Sequence, residues 1–76
     1  MVAQHSYTVV LEPQVGGGFT VSVPALPEVV TEGDTQEEAM DNAREAIEAI
    51  LEVYRDEGWD IPEDVKPEIR QLTIAA

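Results

Sequence analysis

The sequence predicts an α+β domain: a three-stranded antiparallel meander, one long helix packed on one of its faces, and a fourth strand at a sheet edge, in the order β-β-β-α-β. Three features point there. Apolar and polar residues alternate with a period of two in residues 5–12 and again in 19–23, as half-buried strands do. From Gln36 to about Glu57 the apolar period becomes helical. Between them runs Pro24 to Ala39 (PALPEVVTEGDTQEEA), where one pattern gives way to the other.

Taken in order, His5 to Glu12 (HSYTVVLE) sets Tyr7, Val9 and Leu11 on one side of a first strand and Ser6, Thr8 and Val10 on the other. The glycine run in Pro13-Gln-Val-Gly-Gly-Gly18 invites comparison with a phosphate cradle. Such a loop needs a helix N-terminus and a Lys-Ser/Thr pair after the glycines, and here a strand follows, so a hairpin loop is expected. Phe19 to Val23 is the second strand, with Phe19, Val21 and Val23 inward. Pro24 and Pro27 push Val23 and Leu26 toward extended geometry and deny the sheet a donor, so the second strand stops there. Val29 to Glu32 makes a short third strand. Gly33 supplies a permissive turn, and Thr35 stands three residues before Glu38 in the capping-box arrangement that starts a helix.

On that helix Ala39, Met40, Ala43, Ala46, Ile47, Ile50, Leu51 and Tyr54 form one apolar face, with Gly58 as the stop. The early alanines allow close approach to the sheet, and the larger residues fill the gap further along. The opposite face stacks Glu37, Asp41, Glu45, Glu48, Glu52 and Asp56 in one ridge, relieved only by Arg44 and Arg55. Like charges at this spacing cost about a few tenths of a kcal/mol each, and Asp56 and Glu57 lie at the wrong end of the helix dipole. The ridge is either a solvated surface or a site for an Arg/Lys-rich partner. On the second alternative Glu45, Glu48, Glu52 and Asp56 are the candidate contact residues, with Trp59 as an anchor of the type enriched at interfaces. The plain alternative for Trp59 is to cover the helix end. Pro24, Pro27, Gly33, Thr35 and Glu38 carry structural duties. After a turn-rich connection, Arg70 to Ile74 (RQLTI) alternates again as the fourth strand, returned by a right-handed crossover to lie parallel to the first or the third strand at an edge; beside the first it would complete a four-stranded mixed sheet.

A chain of 76 residues makes one small domain that buries only about 60% of its unfolded surface. Without cysteine and with one histidine, disulfides and metals are poor sources of extra stability, which leaves self-association. A homodimer or larger assembly is expected, covering the free sheet face or exchanging the fourth strand. No targeting segment or membrane-length apolar run is visible, so a cytoplasmic location and no membrane partner are expected. Sixteen acidic against four basic residues give a formal charge of −12, which disfavours direct nucleic-acid binding and speeds encounter with a basic partner.

Catalysis finds no footing in these residues. A metal-dependent nuclease of the RNase H type wants carboxylates in mid-strand, and the middle of the first strand is Thr8, Val9 and Val10. Asp34, Glu37, Glu38 and Asp41 cluster in sequence, yet capping and first-turn duties account for them. Ser6 and His5 are strand neighbours on opposite faces, and no cysteine nucleophile exists. A non-enzyme without cofactor or metal is expected.

Tyr7-Thr-Val-Val-Leu-Glu-Pro13, Gly17-Gly-Phe-Thr-Val-Ser-Val-Pro-Ala-Leu-Pro27, Thr31-Glu-Gly-Asp-Thr-Gln-Glu-Glu-Ala39 and Asn42-Ala-Arg-Glu-Ala-Ile47 together resemble the N-terminal domain of HicB-like antitoxins, from Tyr7 to about Glu57. The resemblance implies a partial RNase H-like domain that has lost catalysis. In that family the domain neutralises HicA, a small basic RNA-cleaving toxin, and a separate C-terminal segment binds operator DNA. Two departures stand out: Glu28-Val29 replaces the Gly-Cys often found after the second proline, and the sequence runs only to Ala76. Residues 1–76 are therefore expected to be a single HicB-like domain without a DNA-binding segment, acting either on a basic ribonuclease toxin or as an orphan oligomeric module with another partner or ligand.

Overall fold

The computed structural model describes residues 4–76. Strands β1 (Val10–Pro13), β2 (Phe19–Ser22) and β3 (Val30–Gly33) form one antiparallel sheet in the order β1-β2-β3, and a 22-residue helix, α1 (Gln36–Glu57), packs on it. The α+β meander with one long helix is thus as the sequence predicts. Leu11 pairs with Val21 and Val21 with Thr31, while Pro13 pairs with Phe19 and Phe19 with Gly33, so each row of partners shares a face. Val9, Leu11, Phe19, Val21 and Val23 all turn toward the helix.

The first strand is shorter than the alternation implies, beginning at Val10 rather than His5. Its register explains why. Val10 is opposite Ser22, so Thr8 would face Pro24, which has no N–H and where the chain already turns away.

Two successive turns replace a simple stop at the prolines. The Leu26 amide donates to the Val23 carbonyl at 2.9 Å, and the Val29 amide to the Leu26 carbonyl at 2.9 Å. Pro24 and Pro27 each take the second position of a turn, the place their fixed φ favours. The three residues at the turn ends, Val23, Leu26 and Val29, are all buried. They form one cluster with Ala46, Ile47, Ile50 and Leu51 of α1; Val21, Ala39 and Ala43 form a second with Leu11 and Phe19. Small residues therefore lie where helix and sheet are closest, and large ones where the gap widens.

Gly33 is buried, and its φ is not positive. A Cβ there would lie 2.4 Å from the Ala39 nitrogen and 2.6 Å from the Ala39 Cα. Turn freedom is not the reason for this glycine: it lets β3 run against the first turn of α1. Thr35 caps that turn, its Oγ1 accepting from the Glu38 amide at 3.0 Å. Among the described residues the reciprocal bond from the Glu38 carboxylate is not made, so only half of the capping box forms. At the other end Gly58 adopts φ 72°, and amides of Gly58 and Trp59 donate to carbonyls of Arg55 and Tyr54 at 3.2 and 2.8 Å, the Schellman arrangement.

The fourth strand expected at Arg70 to Ile74 does not form; residues 59–76 contain no regular secondary structure. The chain does return beside the segment leading into β1. The Tyr7 hydroxyl donates to the Pro62 carbonyl at 2.7 Å, and the Thr8 amide and hydroxyl both donate to the Asp64 carboxylate at 2.8 Å. The clasp is made by the Asp64 side chain and not by its backbone, so it starts no ladder, and Pro67 three residues on has no amide to give. Leu72 and Ile74 remain 84% and 75% exposed.

Asp64 reports on this clasp. The Thr8 amide, then the Thr8 hydroxyl, hold its carboxyl below the ordinary 3.8. A depressed folded value means the contribution is present above the unfolded pKa and lost as pH falls through the folded one. Amide-exchange protection at Thr8 should accordingly fade on acidification, and Asp64→Ala should abolish it at neutral pH while helix content by circular dichroism stays constant; protection that survives the substitution would show that Asp64 is not the acceptor.

Candidate partner-binding surface

The residues of the acidic ridge, Glu37, Asp41, Glu45, Glu48, Glu52 and Asp56, are all exposed, on the side of α1 away from the buried Ala39 and Ala43. Among the described residues no cation neutralises them by contact. Among the described residues the one ion pair joins Arg70 to Glu68 at 2.9 Å, so Arg44 and Arg55 relieve the ridge only through space. Arg55 also sits in the last turn of α1, where a cation complements the carbonyl end of the helix dipole. A row of unpaired carboxylates along one helix face concentrates negative potential that salt screens over a Debye length of about 8–10 Å.

Trp59 lies just past the C-terminal glycine of α1, against a residue of the helix's apolar face. Its ring meets Tyr54 edge-on, with centroids 5.4 Å apart and planes at 88°, and it remains 55% exposed. Contact between the residue after the C-terminal glycine and the last helical turn accompanies the Schellman arrangement. Tyr54 in turn donates its hydroxyl to Glu28 at 2.6 Å, which ties the helix end to the second proline turn. That bond lowers the Glu28 carboxyl from its ordinary 4.5, assisted by a backbone hydrogen bond, and raises the Tyr54 phenol from 10.0. The lowered acid contributes above its unfolded pKa and the raised phenol below its own, so the tie is intact between them. Glu28 and Val29 both have work here: Glu28 accepts from Tyr54, and Val29 is buried.

At the opposite end of α1, the fold brings the glycine loop to the helix N-terminus after all. Gly18 packs against the backbone of Gly33 and Asp34, and a cleft of about 410 Å³ opens between Gly17, Gly18, Asn42 and the carboxylates of Glu32, Asp34 and Glu38. Three carboxylates make this a poor seat for phosphate. Among the described residues no three His, Asp or Glu side chains converge as metal ligands. His5 stacks on Tyr7 with centroids 6.4 Å apart, and among the described residues no helix is long and apolar enough to cross a membrane. The structure thus separates the residues singled out from sequence into two groups. Pro24, Pro27, Gly33, Thr35 and Glu38 shape the entry to α1; Glu45, Glu48, Glu52, Asp56 and Trp59 line its outer face and end. Glu28, Tyr54 and Asp64, which join distant segments, carry no sequence signal for those roles, because each acts through a partner 26 or 56 residues away.

Residues 7–73 match the family described as HicB-like antitoxin of bacterial toxin–antitoxin system. The chain is 45% identical over 62 residues to Antitoxin HicB 1 of Photorhabdus laumondii, covering 82% of this chain and 40% of that protein. It is 38% identical over 56 residues to Antitoxin HicB of Escherichia coli K12, covering 74% of this chain and 41% of that one. A UPF0150 protein of Thermoplasma acidophilum is 41% identical over 63 residues, with 83% of this chain and 91% of the relative aligned. The chain therefore spans about two fifths of the length of the two named antitoxins and most of the length of the third relative.

Proposed function

The chain belongs to the HicB-like antitoxin family of bacterial toxin–antitoxin systems, and from that premise we propose that it is a non-catalytic binding protein of the cytoplasm that neutralises a small basic HicA-like ribonuclease toxin by protein–protein contact. The row of unpaired carboxylates on α1 supports this most directly. A protein that cleaves RNA must present cationic side chains to phosphate, and a surface with that charge is the electrostatic complement of Glu45, Glu48, Glu52 and Asp56. Trp59, half exposed just past the end of α1, offers a large apolar contact as well.

Reversing Glu48 and Glu52 to lysine together should weaken toxin binding by about tenfold or more, corresponding to roughly 1.4 kcal/mol, with most of the loss in association rate at low salt. Calorimetric titration of native and E48K/E52K protein against the toxin measures it, with circular dichroism to confirm the fold. Equal affinities would remove the ridge from the interface.

An alternative within the same family is an orphan oligomeric module that binds another protein or ligand. It draws on the UPF0150 relative of Thermoplasma acidophilum, of which the matched region fills 91%. Affinity capture from the source cell separates the two: repeated recovery of one small basic protein supports neutralisation, and its consistent absence supports the alternative.

A further inference from the structure

We propose that Glu28, Tyr54 and Trp59 together form a seat for one arginine side chain of a basic partner protein. The basic character of that partner rests on the reading above; the seat itself stands on three groups that the fold fixes around one another. Tyr54 and Trp59 meet at 88° with ring centroids 5.4 Å apart, so their rings form the two walls of a corner. The Tyr54 hydroxyl donates to Glu28 Oε2 at 2.6 Å, which sets a carboxylate at the margin of that corner. Aromatic ring faces are electron-rich and attract cations, guanidinium groups above all.

Backbone bonds hold each group in place. Glu28 is the third residue of the turn that the Val29 amide closes on the Leu26 carbonyl at 2.9 Å, and the Trp59 amide donates to the Tyr54 carbonyl at 2.8 Å. Tyr54 belongs to the end of α1 and is half-buried. A side chain arriving here has little to order, which keeps the entropic cost of the contact low. The seat is also open: Trp59 is 55% exposed, and among the described residues no Lys or Arg pairs with Glu28. A carboxylate has lone pairs beyond the one given to Tyr54. The Tyr54 bond holds the Glu28 carboxyl below its ordinary 4.5, so it is charged at neutral pH.

These features choose among ligands. An anion is repelled by Glu28 and by a chain of formal charge −12, and an apolar group would dry the carboxylate without pairing it. A cation meets both demands. Of the two cationic side chains, the planar guanidinium can stack on the exposed indole while its N–H groups reach the carboxylate, whereas the ammonium is a compact, strongly hydrated charge. The acidic ridge attracts any cation over a distance; this corner selects one shape at contact.

The test uses the full chain and a short capped peptide carrying one arginine, beside the same peptide carrying citrulline, which is neutral and nearly isosteric. Trp59 is the single tryptophan, so its indole N–H gives one resolved NMR signal. The arginine peptide should shift that signal and have its own δ-methylene protons moved upfield by the ring current; the citrulline peptide should do neither at the same concentration. Glu28→Gln keeps an acceptor for Tyr54 and removes the charge, and should weaken the arginine peptide about two- to fivefold. Trp59→Leu should weaken it by about the same factor and lose the upfield shift, with circular dichroism confirming the fold of both variants. The E48K/E52K protein should retain the upfield shift. Equal responses to the two peptides, an affinity unchanged in both Glu28→Gln and Trp59→Leu, or perturbations confined to the ridge would each overturn the proposal and leave the aromatic pair as a clamp on the helix end. No toxin enters the measurement. An arginine seat without toxin binding refutes neutralisation alone, and toxin binding without the seat refutes the seat alone.

Discussion

Gly33→Ala will destabilise the protein by about 3 kcal/mol or more, at or beyond the upper end of what overpacking a core costs. The new Cβ would sit 2.4, 2.6 and 2.9 Å from the Ala39 nitrogen, the Ala39 Cα and the Glu38 carbonyl carbon. All three are backbone atoms in the first turn of α1, so no rotamer change relieves the contact. Either β3 or the start of the helix must move, and moving the helix opens the tight cluster around Val21, Ala39 and Ala43. A domain of this size shifts its melting temperature by about 4–8 °C per kcal/mol, so a fall of roughly 12–24 °C is expected. With total stabilities of about 5–15 kcal/mol for folded domains, and a thin core here, a substantial unfolded fraction at 37 °C would follow. Urea denaturation followed by circular dichroism measures the change; a loss under about 1 kcal/mol would mean that helix and strand do not approach as closely as the structure has them.

Leu26→Ala is expected to cost about 2–5 kcal/mol, the range for truncating a fully buried leucine. Leu26 is 0% exposed and is among the largest fully buried side chains, although it belongs to a turn and not to a strand or helix. It plugs the wide end of the helix–sheet wedge, between Val23 and Val29 on one side and the helix residues Ile47, Ile50 and Leu51 on the other. Pro24 and Pro27 hold it there by fixing two consecutive turns, which restricts how far the site can collapse into the cavity and argues for the upper part of the range. Leu26→Met, which conserves volume, should cost less than about 1.5 kcal/mol. Similar losses for the two variants would show that Leu26 acts through something other than filled space.

Those two residues also mark the boundary of what the sequence could tell. Alternation placed Tyr7, Val9, Leu11, Phe19, Val21 and Val23 on the correct side of the sheet, and helical spacing located α1 from Gln36 to about Glu57. Thr35 and Gly58 announced its caps because capping bonds span only a few residues. The same spacing laid the carboxylates in one exposed row. Gly33, by contrast, looked like a turn glycine and proved to be a packing glycine, since only the distance between β3 and α1 distinguishes the two. Alternation in Arg70 to Ile74 was equally legible, and it shows a segment fit to be a strand. Whether a strand forms depends on an available edge and a backbone that can pair with it, and beside β1 the chain is held by the Asp64 side chain with Pro67 soon after.

By itself, then, the sequence determined the order and type of the elements that form, their inward faces, the two ends of the helix and the acidity of its outer face. All of these rest on interactions within a few residues or on periodicity along one element. The tertiary structure alone decided how near the helix lies to the third strand, how Leu26 fills the wedge between two proline turns, which residues bind Glu28 and Asp64, and why the last apolar segment has no place in its own sheet. Each of these is a distance or a register between segments remote in sequence, set by the packing of the whole chain.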